Sequence, residues 1–127
     1  MSDFKKLAVW RKSHALTLNA YHVAVTIRGS DNASLRNQML RASASIPTNI
    51  VEGTGQRSGK EFARFLSIAL SSASELEYHL ILAHDIGTIG RSDFESLTAQ
   101  TIEVRKMLYG LRTRVVSRTA RGNVPTS

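Results

Sequence analysis

The chain has 127 residues, 42% of them hydrophobic, and carries 17 Lys and Arg against 10 Asp and Glu, a net charge of +7. That length suits one domain with a single core that needs no staples; the absence of cysteine excludes disulfides and thiol chemistry, and no apolar stretch approaches the roughly 20 residues that span a bilayer. The charge excess favours an acidic partner, either nucleic acid or an anionic protein surface, and the lack of cysteine and of an apolar signal segment fits a reducing cytoplasm.

Near the start, Leu7, Trp10, His14, Leu18, Tyr21 and Val25 recur at intervals of three and four, which predicts a helix with that row as its core face. Leu16, Ala20, Val23 and Ile27 keep the same period about half a turn away. This second row either meets another subunit, which makes those four residues the candidate oligomer interface, or widens the core. A turn cluster from Gly29 to Ser34 follows, with Asp31, Asn32 or Ser34 as the cap of the next helix.

Helix 2 carries Leu35, Met39, Leu40, Ala42, Ile46 and Ile50, and its period persists through Pro47. A proline inside a helix removes one N–H and crowds the carbonyl four residues back, here that of Ser43, at a cost of ~3 kcal/mol unless the freed group is re-satisfied. The hydroxyls of Ser43, Ser45 and Thr48 are the nearest candidates to do so. Gly53 is expected to lie past the helix end, and the segment from Thr54 to Gly59 reads as a connector.

Ser58 with Glu61 three residues on is a capping box for helix 3, whose stripe Phe62, Phe65, Ala69, Ala73, Leu76, Leu80 and Ala83 reaches Gly87. Its middle, Ser71 to Ser74, is small enough for close approach to helix 2. Arg41, Asn49 and Glu52 on helix 2 and Glu75 or Glu77 on helix 3 are expected to form a partly buried polar network, because an orphaned buried charge costs several kcal/mol. Ser92 and Glu95 make a second capping box, and Leu97, Thr101, Val104, Leu108, Leu111 and Val115 form a heptad seam on helix 4. From Val104 onward the chain has no acidic residue, and Arg105, Lys106, Arg112, Arg114, Arg118 and Arg121 are the candidate nucleic-acid contacts.

Chemistry is missing where it would be expected. Gly59-Lys60 lacks the earlier glycine and the following Ser/Thr of a phosphate loop, and no strand precedes it. His14, His22, His79 and His84 have no metal-binding spacing, Glu75 and Glu77 face different directions on a helix, and the serines lack a nucleophile elbow. The chain is expected to be no enzyme and to hold neither metal nor cofactor.

Ser45-Ile-Pro-Thr-Asn-Ile-Val-Glu-Gly53, with Phe62, Phe65, Leu66, Ile68 and Ala69, Ser74-Glu-Leu-Glu77 and Leu7-Ala-Val-Trp10, resembles the signature of the four-helix-bundle proteins encoded in intervening sequences of 23S ribosomal RNA genes. The resemblance spans roughly residues 4 to 118. It implies homo-oligomeric rings, usually pentamers, and a kinship with accessory proteins of diversity-generating retroelements, which engage a reverse transcriptase. Residues and resemblance together predict an all-α, up-down-up-down four-helix bundle over residues 1–118, with helices at about 5–28, 34–53, 58–87 and 92–118 and a flexible tail at 119–127. The expected function is an oligomeric binder of RNA or DNA phosphates; the alternative is a scaffold for an acidic partner protein.

Overall fold

The structure, a computed structural model, describes residues 3–120. Four helices fill it: α1 (Ala8–Ala24), α2 (Ala33–Thr54), α3 (Gly59–Asp85) and α4 (Arg91–Ala120). They run up, down, up and down. Cross-helix bonds fix the order: Thr17 to Ser43 joins α1 to α2, Ser45 to Ser72 joins α2 to α3, Arg112 to Ser67 joins α4 to α3, and Asn19 to Gln100 closes α1 against α4. No strand occurs among the described residues, and no helix there is long and apolar enough to cross a membrane.

The core follows the heptad logic read from α3 and α4. Leu66, Ala69, Ala73, Leu76 and Leu80 on α3 face Leu97, Val104, Leu108 and Val115 on α4, with Met39, Ile46 and Ile50 of α2 between them, and all are buried. Thr101 is buried within the α4 seam and donates its hydroxyl to the Leu97 carbonyl at 2.7 Å, so its polar group is satisfied inside the core.

On α1 the expected faces are exchanged. Leu16 and Ala20 are fully buried, Ile27 is 4% exposed and Val23 packs against the core, so the four proposed interface residues belong to the core side. The row taken as core keeps only its start inward, where Leu7 and Trp10 pack against the core, and then turns outward: Leu18 is 48%, Tyr21 44% and Val25 75% exposed. The cause is the size of the inward residues. Ser13, Ala20 and Ala24 are all fully buried, and such short side chains let the α1 backbone approach α2 closely, where a face of Trp10, Leu18 and Tyr21 would hold it away.

The start of α1 also differs. Phe4–Lys6 form a single 3-10 turn capped by the Asp3 carboxylate, and Leu7 is extended before the α-helix begins at Ala8. The Trp10 ring stacks on His14 with centroids 5.1 Å apart and meets Phe4 edge-on at 5.0 Å.

Helix α2 runs through Pro47 as expected, but its repair comes from elsewhere. The Ser43 carbonyl, deprived of the N–H four residues on, accepts the Thr17 hydroxyl of α1 at 2.8 Å. Ser43 spends its own hydroxyl on Leu40 and Thr48 on Ala44. Gly53 does not terminate α2. It lies within the helix, buried, where an added Cβ would stand 2.8 Å from Phe62 Cδ1 and 3.1 Å from Phe65 Cβ; glycine is needed for the close crossing of α2 over the start of α3.

The capping expectations divide. Ser58 Oγ accepts from the Glu61 N–H at 3.1 Å, while the Glu61 carboxylate pairs with Arg64. Helix α4 begins at Arg91, one residue before the expected cap, so Ser92 lies inside its first turn. Between α3 and α4, Gly87 takes φ 81°, and the Thr88 N–H returns to the Ala83 carbonyl at 2.9 Å, a Schellman closure. Helix α4 continues to Ala120, past the expected tail boundary, and the tail residues from 121 onward lie outside the described residues.

Candidate nucleic-acid interface

The expected polar network between α2 and α3 does not form. Arg41, Glu52 and Glu75 are exposed, and none makes an ion pair within the chain. These positions lie on the outer edges of their helices, where water solvates a charge at less cost than a buried partner would. What joins the helices is neutral: Ser45 and Ser72 share a hydroxyl bond of 2.7 Å, and the Asn49 amide donates to the Ser45 carbonyl at 2.8 Å and to its hydroxyl at 3.0 Å. Glu77 looks to the other side and pairs with Arg105 of α4.

That pair withdraws Arg105 from the candidate phosphate contacts. Arg112, two turns further along α4 on the same side, meets no carboxylate; its Nε donates to Ser67 Oγ at 2.6 Å. Lys106 and Arg114 face the opposite flank, where they border a shallow groove with Leu7, Ala8 and Val9 of α1. Arg118 is exposed on the last turn, and Arg121 lies outside the described residues. The α4 bases therefore occupy two flanks of one helix, and no single face holds them all.

The topology gathers a larger basic surface than α4 alone. In an up-down-up-down bundle the start of α1, the α2–α3 connector, the start of α3 and the end of α4 share one end. Lys5, Lys6, Arg11 and Lys12 come from the first of these, Arg57 from the connector, Lys60 and Arg64 from α3, and Arg112, Arg114 and Arg118 from α4. The acids there are few and mostly engaged: Asp3 caps the first turn, Glu61 pairs with Arg64, Glu103, further up α4, holds Lys12 at 3.5 Å, and Glu52, in the last turn of α2, makes no ion pair among the described residues. At the opposite end Arg28, Arg36 and Arg91 are matched by Asp31, Asp85, Asp93 and Glu95. The net positive charge thus sits at one pole. The sequence contained all of these bases, but only the helix order shows that they converge.

Within this pole, between the start of α3 and the end of α4, lies an open cleft of about 530 Å³, floored by Ala63, Val116 and Ala120 and edged by Lys60, Arg64, Ser67 and Arg112. No group of three or more His, Asp or Glu among the described residues is placed to hold a metal. His79, the one buried histidine, has its Nδ1 atom without a hydrogen-bond partner.

Comparison with known proteins decides the lineage: residues 5–110 match the family described as 23S rRNA-intervening sequence protein. The chain belongs to that family. Its likeness extends to a solved structure, that of a protein of unknown function from the S23 ribosomal protein family of Bacteroides thetaiotaomicron, at 28% identity and a TM-score of 0.78, covering 83% of this chain and 98% of that one. None of the curated proteins matches. The family match takes in the basic start of α1, the connector, the start of α3 and α4 as far as Gly110; Arg112, Arg114 and Arg118 of this 23S rRNA-intervening sequence protein lie just beyond it.

Proposed function

We propose that the protein is a non-enzymatic, self-associating bundle of the cytoplasm that binds RNA or DNA end-on through its basic pole, by phosphate contacts and without reading bases. The concentration of the whole charge excess at one end carries this reading, because clustered Lys and Arg with few acids draw a polyanion and release its counterions. The chain has few aromatic residues, 6% of the total, and the exposed Tyr78 and Tyr109, on α3 and α4, make no ring contact with a second exposed ring among the described residues, which argues against base stacking.

Self-association rests on a separate surface. His14, Leu18, Tyr21 and Val25 form an exposed row along α1, and such a largely apolar row on a small domain marks a protein contact. The resemblance read from the sequence implies a homopentameric ring for this contact. A scaffold for an acidic partner protein would use the same pole and is the rival reading.

The test is a fluorescence titration against mixed-sequence RNA and duplex DNA between about 50 and 200 mM salt, where the log–log slope rises by ~0.9 for each duplex phosphate neutralised. Replacing Lys5, Lys6, Arg114 and Arg118 with Gln should flatten that slope for both polymers alike. Failure of the wild type to bind either polymer at low salt would refute the nucleic-acid reading and leave the protein scaffold.

A further inference from the structure

Two arginines of α4 are placed alike against α3 and end differently. Arg105 finds the Glu77 carboxylate, whereas Arg112, one heptad on, finds only the neutral Ser67 hydroxyl, bonded to Nε. Its terminal guanidinium nitrogens therefore keep their donors without a counter-ion among the described residues, and Arg112 is partly buried, so water replaces that counter-ion incompletely. Lys60, at the other end of the same cleft, makes no ion pair among the described residues, and the Glu61 carboxylate, which also lines the cleft, is engaged by Arg64.

Between these two cations the floor is apolar: Ala63 from α3, Val116 and Ala120 from α4. The cleft extends along α3 from Gly59 to Ser67, a length of about 12 Å at helical rise. Its volume of about 530 Å³ falls within the range of small-molecule sites. Three small apolar side chains are far too little for a stable protein interface, which buries roughly 800 Å² on each partner, but they suffice to cover one hydrocarbon chain.

We propose that this cleft is a binding site for an amphiphilic carboxylate, a linear apolar chain of medium length whose carboxylate is held by Arg112 at the Ser67 end and whose chain lies over Ala63, Val116 and Ala120. Arg112 offers a planar fork that matches a carboxylate in bidentate fashion. The site goes beyond the nucleic-acid reading and does not depend on it. Its occupation neutralises Arg112, a member of the basic pole, so a bound carboxylate would compete with phosphates there.

The experiment is a titration of the 15N-labelled full chain with octanoate, without nucleic acid, followed by amide chemical shifts. Saturable shifts centred on Gly59, Ala63, Ser67, Val116 and Ala120 are expected, with octan-1-ol at least about tenfold weaker because it lacks the charge-assisted bonds. Arg112→Gln, which can keep a bond to Ser67, should weaken octanoate about tenfold and leave octan-1-ol unchanged. Val116→Glu, at a position 41% exposed, should abolish binding with the helical spectrum intact. Shifts that never saturate, equal affinity for the alcohol, or full octanoate affinity in Arg112→Gln would each overturn the proposal.

Discussion

The bond from Thr17 to the Ser43 carbonyl predicts a coupling that a mutant cycle can measure. Thr17 has one hydroxyl proton and two acceptors near it, the Ser13 carbonyl at 3.0 Å and the Ser43 carbonyl at 2.8 Å. Ser13 already receives the Thr17 N–H within α1, whereas Ser43 has lost its own helical donor at Pro47, so the proton belongs to Ser43. Ser43 is fully buried, and an unsatisfied buried carbonyl costs about 1–3 kcal/mol. Thr17→Val keeps the shape, removes the proton, and should destabilise by that amount, lowering the melting temperature by roughly 4–11 °C in a domain of this size. In a Pro47→Ala background the restored N–H bonds to Ser43 from within α2, and the same Thr17→Val change should cost well under 1 kcal/mol. The four proteins would be melted at one fixed concentration, because the proposed self-association would make the midpoint concentration-dependent. Additivity within about 0.5 kcal/mol would refute the argument, since it would mean that Ser43 is satisfied without Thr17.

Gly53→Ala should destabilise the protein even though alanine gains ~1 kcal/mol of helix propensity, because its Cβ would stand 2.8 Å from Phe62 and 3.1 Å from the backbone-anchored Phe65 Cβ, an overpacking cost of about 1–3 kcal/mol; a higher melting point in denaturant or heat would contradict that crossing. Val25→Glu with Tyr21→Ser should leave the helical spectrum intact and lower the mass seen by light scattering towards the 14.0 kDa of one chain, whereas Leu16→Glu should unfold it; an unchanged assembly in the first variant would remove the outer row of α1 as the contact. His79→Leu should be neutral or stabilising by up to about 1 kcal/mol, because it deletes a buried nitrogen that has no partner, and a loss of more than about 2 kcal/mol in urea titration would show that the ring has a bond that stability depends on.

The helix number, order and most boundaries were legible in the residues, because apolar spacing of three and four and the Ser58 cap are local signals. The passage of α2 through Pro47 was legible for the same reason. Which face of α1 turns inward was not. Both of its rows are apolar and equally periodic, and the choice between them is made by how closely α1 can approach α2, a property of the small residues Ser13, Ala20 and Ala24 in their packed setting. Thr17 and Gly53 were missed likewise, since the groups they serve, the Ser43 carbonyl and the Phe62 and Phe65 rings, lie in other helices. Of the candidate site, the α4 bases stood out by the absence of acids beside them, but the engagement of Arg105 by Glu77 depends on a contact 28 residues apart.

The concentration of charge at one end gives the molecule a direction. In the field of a polyanion a body charged at one end experiences a torque as well as an attraction, so it arrives already turned, with its helices pointing at the strand. The exposed row from His14 to Val25 runs along the side of the bundle, parallel to that direction. Copies joined through it about an axis parallel to their helices would all present the same end, and a flat annulus of positive charge would face the nucleic acid on one side while the opposite, charge-balanced side faced water.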